Sequence, residues 1–348
     1  MAKGHFRMSS ISYLILRIVC LLSPAILASS QFVLAADNVS LGEGDYRWPI
    51  EVVEQRIVVL QKQSSGRRVS EDAILIAVNS SSNVSSIVKK HDEVTAIGTG
   101  QWKEQIGYFT AQKSRVTFWD PNGEPQVAWM VDDELFISEI ISLAEPECTF
   151  IFAFDRRTEA FGAWRLKSSP PAVECVASGK AFQILRPQPG NSKIYGIYQE
   201  LPNIQIVNLT SPSPDGTSLK MPSQFYPVAG LTPEGGILGR HIDPSKRESR
   251  IATLLQSDPA VQMLTPAGEQ TAEPLLNASG DIAFTRFSQN EGPQELCVAT
   301  GGRIVVVHKE LESGGRRFTW DRHGTRLISL SVKSGITDLR YDKLEGKH

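Results

Sequence analysis

Cysteine is scarce in this chain: its 348 residues hold only 4, and no Cys-x-x-Cys occurs. That excludes a disulfide-stapled scaffold, a thiolate zinc site and a dithiol redox motif. An excess of one charge is lacking too. With 36 Lys+Arg against 38 Asp+Glu there is no basic footprint for nucleic acid. Long hydrophobic runs stop after the first three dozen residues, which excludes a polytopic helical membrane protein. Gly-x-Ser-x-Gly, His-Glu-x-x-His, Walker, EF-hand and full Gly-x-Gly-x-x-Gly motifs are all missing. No catalytic set, cofactor or metal site is therefore expected.

What is present begins with an address. Lys3, His5 and Arg7 precede an apolar run from Ile11 to Ala28, and small residues close the stretch at Ala35-Ala36. A basic start, an apolar middle and small residues before a cut make a secretory signal peptide. Cleavage is expected after Ala35 or Ala36, dividing the chain into a signal peptide over 1–36 and one domain over 37–348. Arg17 and Pro24 weigh against an uncleaved anchor, and Arg17 and Val19 against lipid attachment at Cys20. The expected product is periplasmic or secreted and not inserted in a membrane, with 33 bases against 38 acids. Its cysteines are Cys148, Cys175 and Cys297. A Cys148–Cys175 bridge and three unpaired thiols are both open, and Cys297 reads as a buried small hydrophobe. Asn38, Asn79, Asn83, Asn208 and Asn277 each head an Asn-x-Ser/Thr sequon, meaningful only in a eukaryotic secretory route.

Beyond residue 56 the apolar stretches are short and β-branched. Arg56–Leu60, Ala73–Val78, Arg115–Trp119, Thr149–Phe154, Ile204–Leu209, Asp281–Phe287 and Arg303–Val307 are predicted strands, separated by Gly, Pro, Asn and Asp. Pro49–Leu60, the one segment open to a helical reading, is assigned to strand for its β-branched content.

One turn recurs. Leu231-Thr-Pro-Glu-Gly235, Leu276-Asn-Ala-Ser-Gly280 and Trp320-Asp-Arg-His-Gly324 each place a bulky apolar residue and three turn formers before a glycine, and a strand follows. The glycines lie 45 and 44 residues apart. Backward steps of 45 land on Gly190, Glu145, Gly100 and Gln55. A period near 45 holding four short strands is the spacing of a β-propeller blade. The fold expected is all-β, a propeller of about seven four-stranded blades, with six as the alternative. The glycine is expected at a positive φ between the outer strand of one blade and the inner strand of the next. Arg47–Val53 is expected to close the ring.

The figure of turn residues, glycine and an Ile-Ala-Phe-like strand resembles the WD40-like repeat of the TolB-type β-propeller group. Gly235, Gly280-Asp-Ile-Ala-Phe284 and Gly324-Thr-Arg-Leu-Ile-Ser-Leu330 carry it, covering 185–335 directly and 56–184 by extrapolation. Ser211–Gly216 looks similar but is out of phase, and reads as an internal turn. The resemblance implies a fold and an extracytoplasmic place, and no particular activity.

Candidate site residues are few. His241 and His323 each sit beside an Arg and near an Asp, as channel-lining candidates or as plain turn residues. Asp132-Asp133-Glu134 reads as a solvated turn, and Asp155–Arg157 and Arg316-Arg317 as hairpin or edge charges. Trp102, Trp119, Trp129, Trp164 and Trp320 read as packing between blades. The function expected is a non-catalytic platform binding a protein or other extracytoplasmic macromolecule. The alternative is a propeller hydrolase or lyase, which would need a channel holding two carboxylates or a metal.

Overall fold

Segments that alternate side chains across a pleat bury both faces only when sheets lie on either side. In Ile57-Val58-Val59-Leu60, Ile57 and Val59 join a core containing Ile328, Leu330 and Leu339, while Val58 and Leu60 join one containing Val94, Ile97 and Tyr108. One uninterrupted apolar run thus serves two interfaces. The computed structural model describes residues 35–343 except 66–67, 80–81, 144–146, 186, 188–192, 201, 212–215, 256–259, 288–293, 312–316 and 334. Ala35–Lys343 forms one compact unit, without a helix among its described residues.

After β1 (Ala35–Glu43), strands come in fours. The first sheet is β2 (Asp45–Val53), β3 (Arg56–Ser65), β4 (Arg68–Asn79) and β5 (Val84–His91). The second is β6 (Ala96–Trp102), β7 (Gln105–Gln112), β8 (Arg115–Trp119) and β9 (Pro125–Met130). The third is β10 (Leu135–Leu143), β11 (Cys148–Asp155), β12 (Ala160–Ser168) and β13 (Pro171–Gly179). The fourth is β14 (Phe182–Leu185), β15 (Tyr195–Glu200), β16 (Asn203–Asn208) and β17 (Gly216–Lys220). Next come β18 (Phe225–Leu231), β19 (Ile237–Asp243), β20 (Glu248–Leu254) and β21 (Val261–Met263). The sixth set, β22 (Gln270–Leu276), β23 (Ile282–Phe287), β24 (Gln294–Thr300) and β25 (Arg303–Leu311), meets the fifth through a single Ser249–Gln270 bridge. The last sheet is β26 (Phe318–Trp320), β27 (Arg326–Lys333) and β28 (Ile336–Lys343), with β1 added outside β28.

The first strands touch their neighbours, β2 on β6, β6 on β10, β14 on β18 and β18 on β22, and β2 also meets β26. Seven four-stranded sheets therefore close around an axis lined by their first strands. The architecture is a β-propeller. The predicted strands all form, and the first strands of successive sheets begin 39 to 51 residues apart, around the 45-residue step.

Two expectations are corrected. The ring is closed by β1, which pairs antiparallel with β28 from Ala35–Lys343 to Glu43–Ile336. Arg47–Val53 instead forms most of β2, the axial strand of the first sheet. Second, Gly235, Gly280 and Gly324 do have positive φ (81°, 88° and 69°), but each turns the first strand of a sheet into the second. Gln55, at φ 64°, fills the same position between β2 and β3. A hairpin turn needs left-handed backbone more strictly than a longer link between sheets, so the repeated glycine marks the hairpin. Ser211–Gly216 does fall inside a sheet, linking β16 to β17, with 212–215 outside the described residues.

Because the strands alternate in direction, the ring has two ends. At the leading end the first strands begin and the second-to-third turns lie. At the trailing end the glycine turns lie.

Candidate functional site

The histidine candidates are not brought together. His241 ends β19 at the leading end, half-buried opposite Phe225 and Arg250. His323 is exposed in the β26–β27 turn at the trailing end. Cys148 and Cys175 share the third sheet but are not bonded, and neither is Cys297. β12 separates the first two, and two strand spacings of about 4.8 Å exceed the Cα separation a disulfide bridges. Burial pushes the Cys148 thiol up to about 11, against the pull of Arg165, and the fully buried Cys297 up to about 12.

Arg317 also departs from its reading as an edge charge. It is 4% exposed and donates to Asp45 Oδ1 at 2.7 Å and to the Tyr46 carbonyl, fastening the last sheet to the first; Arg316 lies outside the described residues. Asp132 behaves as read: its carboxylate accepts from the Glu134 amide at 3.1 Å and pairs with Arg157. No group of metal-ligating side chains occurs among the described residues. The tryptophans pack. Trp102 meets Trp129 edge-on at 4.7 Å, and Trp129 donates from Nε1 to the Lys167 carbonyl of the next sheet at 2.7 Å. Of the sequon asparagines, Asn38, Asn79 and Asn83 are exposed and Asn208 is half-buried. Asn277 is 2% exposed, its amide engaged by Asp281 and Gly324, so it is unfit as a glycan acceptor.

A cavity of about 280 Å³ lies against the axial strands β2, β6 and β10, with Leu60 of β3, Glu71 of β4 and Pro187 also lining it. Its walls carry Trp48, Glu71, Thr99, Ser138, Glu139 and Ser142. Backbone irregularity aims several of these. Trp48 has φ 52°, inside a register break between Arg47 and Ile50. Ser138 is the extra residue of a bulge between Ile137 and Glu139. Bulges re-aim side chains, and a positive φ at a tryptophan is a strained state usually maintained by its surroundings. Across the cavity, β6 approaches β10 through two glycines. A Cβ on Gly98 would lie 2.5 Å from the Ile140 carbonyl oxygen, and one on Gly100 2.2 Å from Ser142 Oγ. Glu71 is held from behind by Arg47, 3.4 Å from its Oε1. Sequence reasoning missed all six wall residues. The available signal was Gly98-x-Gly100, which as a bare Gly-x-Gly carried no weight.

At the leading end of the third sheet, aromatics stand in a row. Phe136, Phe154 and Phe161 occupy opposed register positions on β10, β11 and β12. Phe136 is 53% and Phe161 40% exposed, with Phe154 half-buried between them. Phe154 and Phe161 rings lie 5.1 Å apart, and Phe152 supports the row from below. The two turns at this end carry five acids, Asp132, Asp133, Glu134, Asp155 and Glu159, against two bases, Arg156 and Arg157.

The buried titratable groups sit elsewhere. His91, 5% exposed, is held down to about 4 by burial and by the Lys89 charge; its Nε2 shares a hydrogen bond of 2.7 Å with the Tyr108 hydroxyl. Burial raises Glu51, which receives the Arg322 amide and pairs with Arg326 at the seam between last and first sheets. These groups lock neighbouring sheets together.

No known protein family's profile matches this chain, and no curated protein matches it in sequence. Solved structures do resemble it. The β-propeller domain of the Trilobed protease from Pyrococcus furiosus superposes with a TM-score of 0.55 at 13% identity, over 87% of this chain and 96% of that one. The likeness is one of fold. An oligogalacturonate lyase in complex with manganese gives 0.60 at 10% identity, over 91% and 94% of the two chains. A Mycobacterium tuberculosis puromycin-hydrolyzing peptidase gives 0.60 at 12%, over 88% of this propeller but only 52% of the peptidase. The propeller thus spans about half that enzyme's length. The Pyrococcus domain is described as having an open velcro topology; in this propeller β1 and β28 pair.

Proposed function

We propose that this propeller is an exported binding platform, without catalysis of its own, that receives a polypeptide at the leading end of its third sheet. The observation that carries the reading is the solvent-facing row Phe136–Phe154–Phe161. Large contiguous aromatics in water mark interaction surfaces, because removing them from water is favourable by about 25 cal/mol per Å². The partner's chemistry follows from the rim. Five acids against two bases favour an apolar segment with basic flanks. The export signal at 1–36 supports an extracytoplasmic setting.

A photo-crosslinking residue placed at 136 or 161, in the host's own extracytoplasmic fraction, tests this. Discrete adducts are expected there and not from position 122, an exposed trailing-end turn. Absence of adducts, or equal adducts at 122, overturns the platform.

A second reading has its own observation. The cavity holds two carboxylates, Glu71 and Glu139, and propellers of similar fold include a peptidase and a lyase. Turnover of a peptide or an acidic oligosaccharide, lost in both Glu71→Gln and Glu139→Gln, would put the enzyme in place of the platform.

A further inference from the structure

We infer that Asp342 is the receiving site for the amino terminus that export creates, so that removal of the signal peptide completes the closure of the ring. This rests on the export half of the proposed function and goes beyond it. Asp342 is 0% exposed, and its two carboxylate oxygens differ. Oδ1 accepts from Arg340 Nη2 at 3.0 Å, while Oδ2, also buried, has no hydrogen-bond partner among the described residues. Burying a charge with half its acceptors unmet is costly. Burial accordingly pushes this carboxyl up, against the pull of Arg340.

The adjacent cations in register do not fill that place. Lys343 and Arg326, opposed at the next position, lie on the other face of the sheet, where Arg326 pairs with Glu51 and Asp321. Across the β1–β28 ladder, Ala36 stands opposite Asp342 and Asp37 opposite Tyr341. Opposed residues in an antiparallel pair lie about 4.5–5.5 Å apart at Cα, within reach of a carboxylate side chain. A cut after Ala35 or after Ala36 therefore leaves the new α-ammonium within one residue of Asp342. Before the cut the same nitrogen is an uncharged amide with one donor. After it, the nitrogen carries a positive charge and three donors, which is what a buried, half-paired carboxylate lacks. β1 is the strand that seals the ring, so only the processed chain seals it with this ion pair. The next pair on the same face, Ser329 and Arg340, also holds buried polar atoms without hydrogen bonds, Ser329 Oγ and Arg340 Nε, which makes ordered water the competing occupant.

The test compares the whole mature chain beginning at Ala36 with a free α-amine, the same chain Nα-acetylated, and one extended by Gly-Ser ahead of Ala36. The acetylated and extended forms should each fold with an equilibrium constant roughly tenfold less favourable, the contribution of one charge-assisted hydrogen bond, read from urea midpoints at pH 7. In Asp342→Asn all of these forms should agree within about twofold. If Asp342→Asn fails to fold, acylation of the α-amine by an activated ester at pH 7 decides. It should run at least about tenfold slower in the folded native chain than in urea, and an equal rate overturns the pair. Equal stability of the free and acetylated native forms, or the same loss on acetylation in Asp342→Asn, also overturns it and leaves the site to water. Sequencing of the exported chain should start at Ala36 or Asp37. An intact leader there sinks export and the ion pair together, whereas equal stabilities beside a start at Ala36 sink the ion pair alone.

Discussion

Asn277 donates from Nδ2 to the Gly324 carbonyl at 2.9 Å, tying the glycine turn of the sixth sheet to that of the seventh. Its Oδ1 accepts from the Ser279 and Asp281 amides at 3.0 and 2.8 Å, so the same side chain holds its own turn. Asp321 does the equivalent work one repeat later, accepting from the Thr325 and Arg326 amides. Removing such a side chain leaves buried backbone donors unmet. Asn277→Ala should cost about 2–3 kcal/mol, read as a lower urea midpoint at unchanged slope. Asn277→Asp, which would set a second carboxylate against Asp281 Oδ2 and the Gly324 carbonyl, should cost at least as much at neutral pH.

His91 makes stability depend on pH. Its ordinary value of 6.5 falls to about 4 in the folded protein, where burial and Lys89 disfavour the charged ring. Between those values the unfolded chain binds the extra proton, so stability is complete above 6.5 and declines as pH falls towards 4. The full effect is on the order of 3 kcal/mol. His91→Phe, which keeps a ring against Trp119 (4.2 Å in the native pair), should flatten this part of the profile. An unchanged slope between pH 6.5 and 4 would show the ring to be solvated.

Gly98 spaces the cavity wall. Any Cβ there meets the Ile140 carbonyl at 2.5 Å and Ile140 Cβ at 2.9 Å, neither of which is a flexible chain end. Gly98→Ala should cost about 1–3 kcal/mol, read as a lower urea midpoint. Gly302→Ala, strained only by its φ of 74° with nothing within 4 Å, should cost about 1 kcal/mol.

β1 seals the ring. A chain beginning at Asp37 retains Val39, fully buried against the first and last sheets, and should unfold in one cooperative transition. A chain beginning at Asp45 leaves β28 as a bare edge and should lose at least about 3 kcal/mol and aggregate. Equal thermal stability of the two would refute closure by this strand.

Strand type, repeat length and blade number were legible because each depends on short-range chemistry. β-branched runs between turn formers stay extended wherever they fall, and a hairpin needs left-handed backbone at one residue. Glycines at 235, 280 and 324 therefore kept time for the whole ring, and Gln55 fills that hairpin position without a glycine. The phase of the count was not legible, since a turn signal looks alike inside a sheet and between sheets. The first strands hid the cavity for another reason. A single inserted residue at Ser138 turns the following side chains to the other face, and no local pattern announces it.

By itself, then, the sequence determined an all-β chain of about seven units and the residues that bury between them. Tertiary structure alone decided that β1 returns to β28, that Arg317 reaches Asp45, and that Glu71 and Glu139 line one cavity. Those pairs come from sheets distant in the chain. Contacts of that kind follow from ring closure, a property of all seven sheets at once.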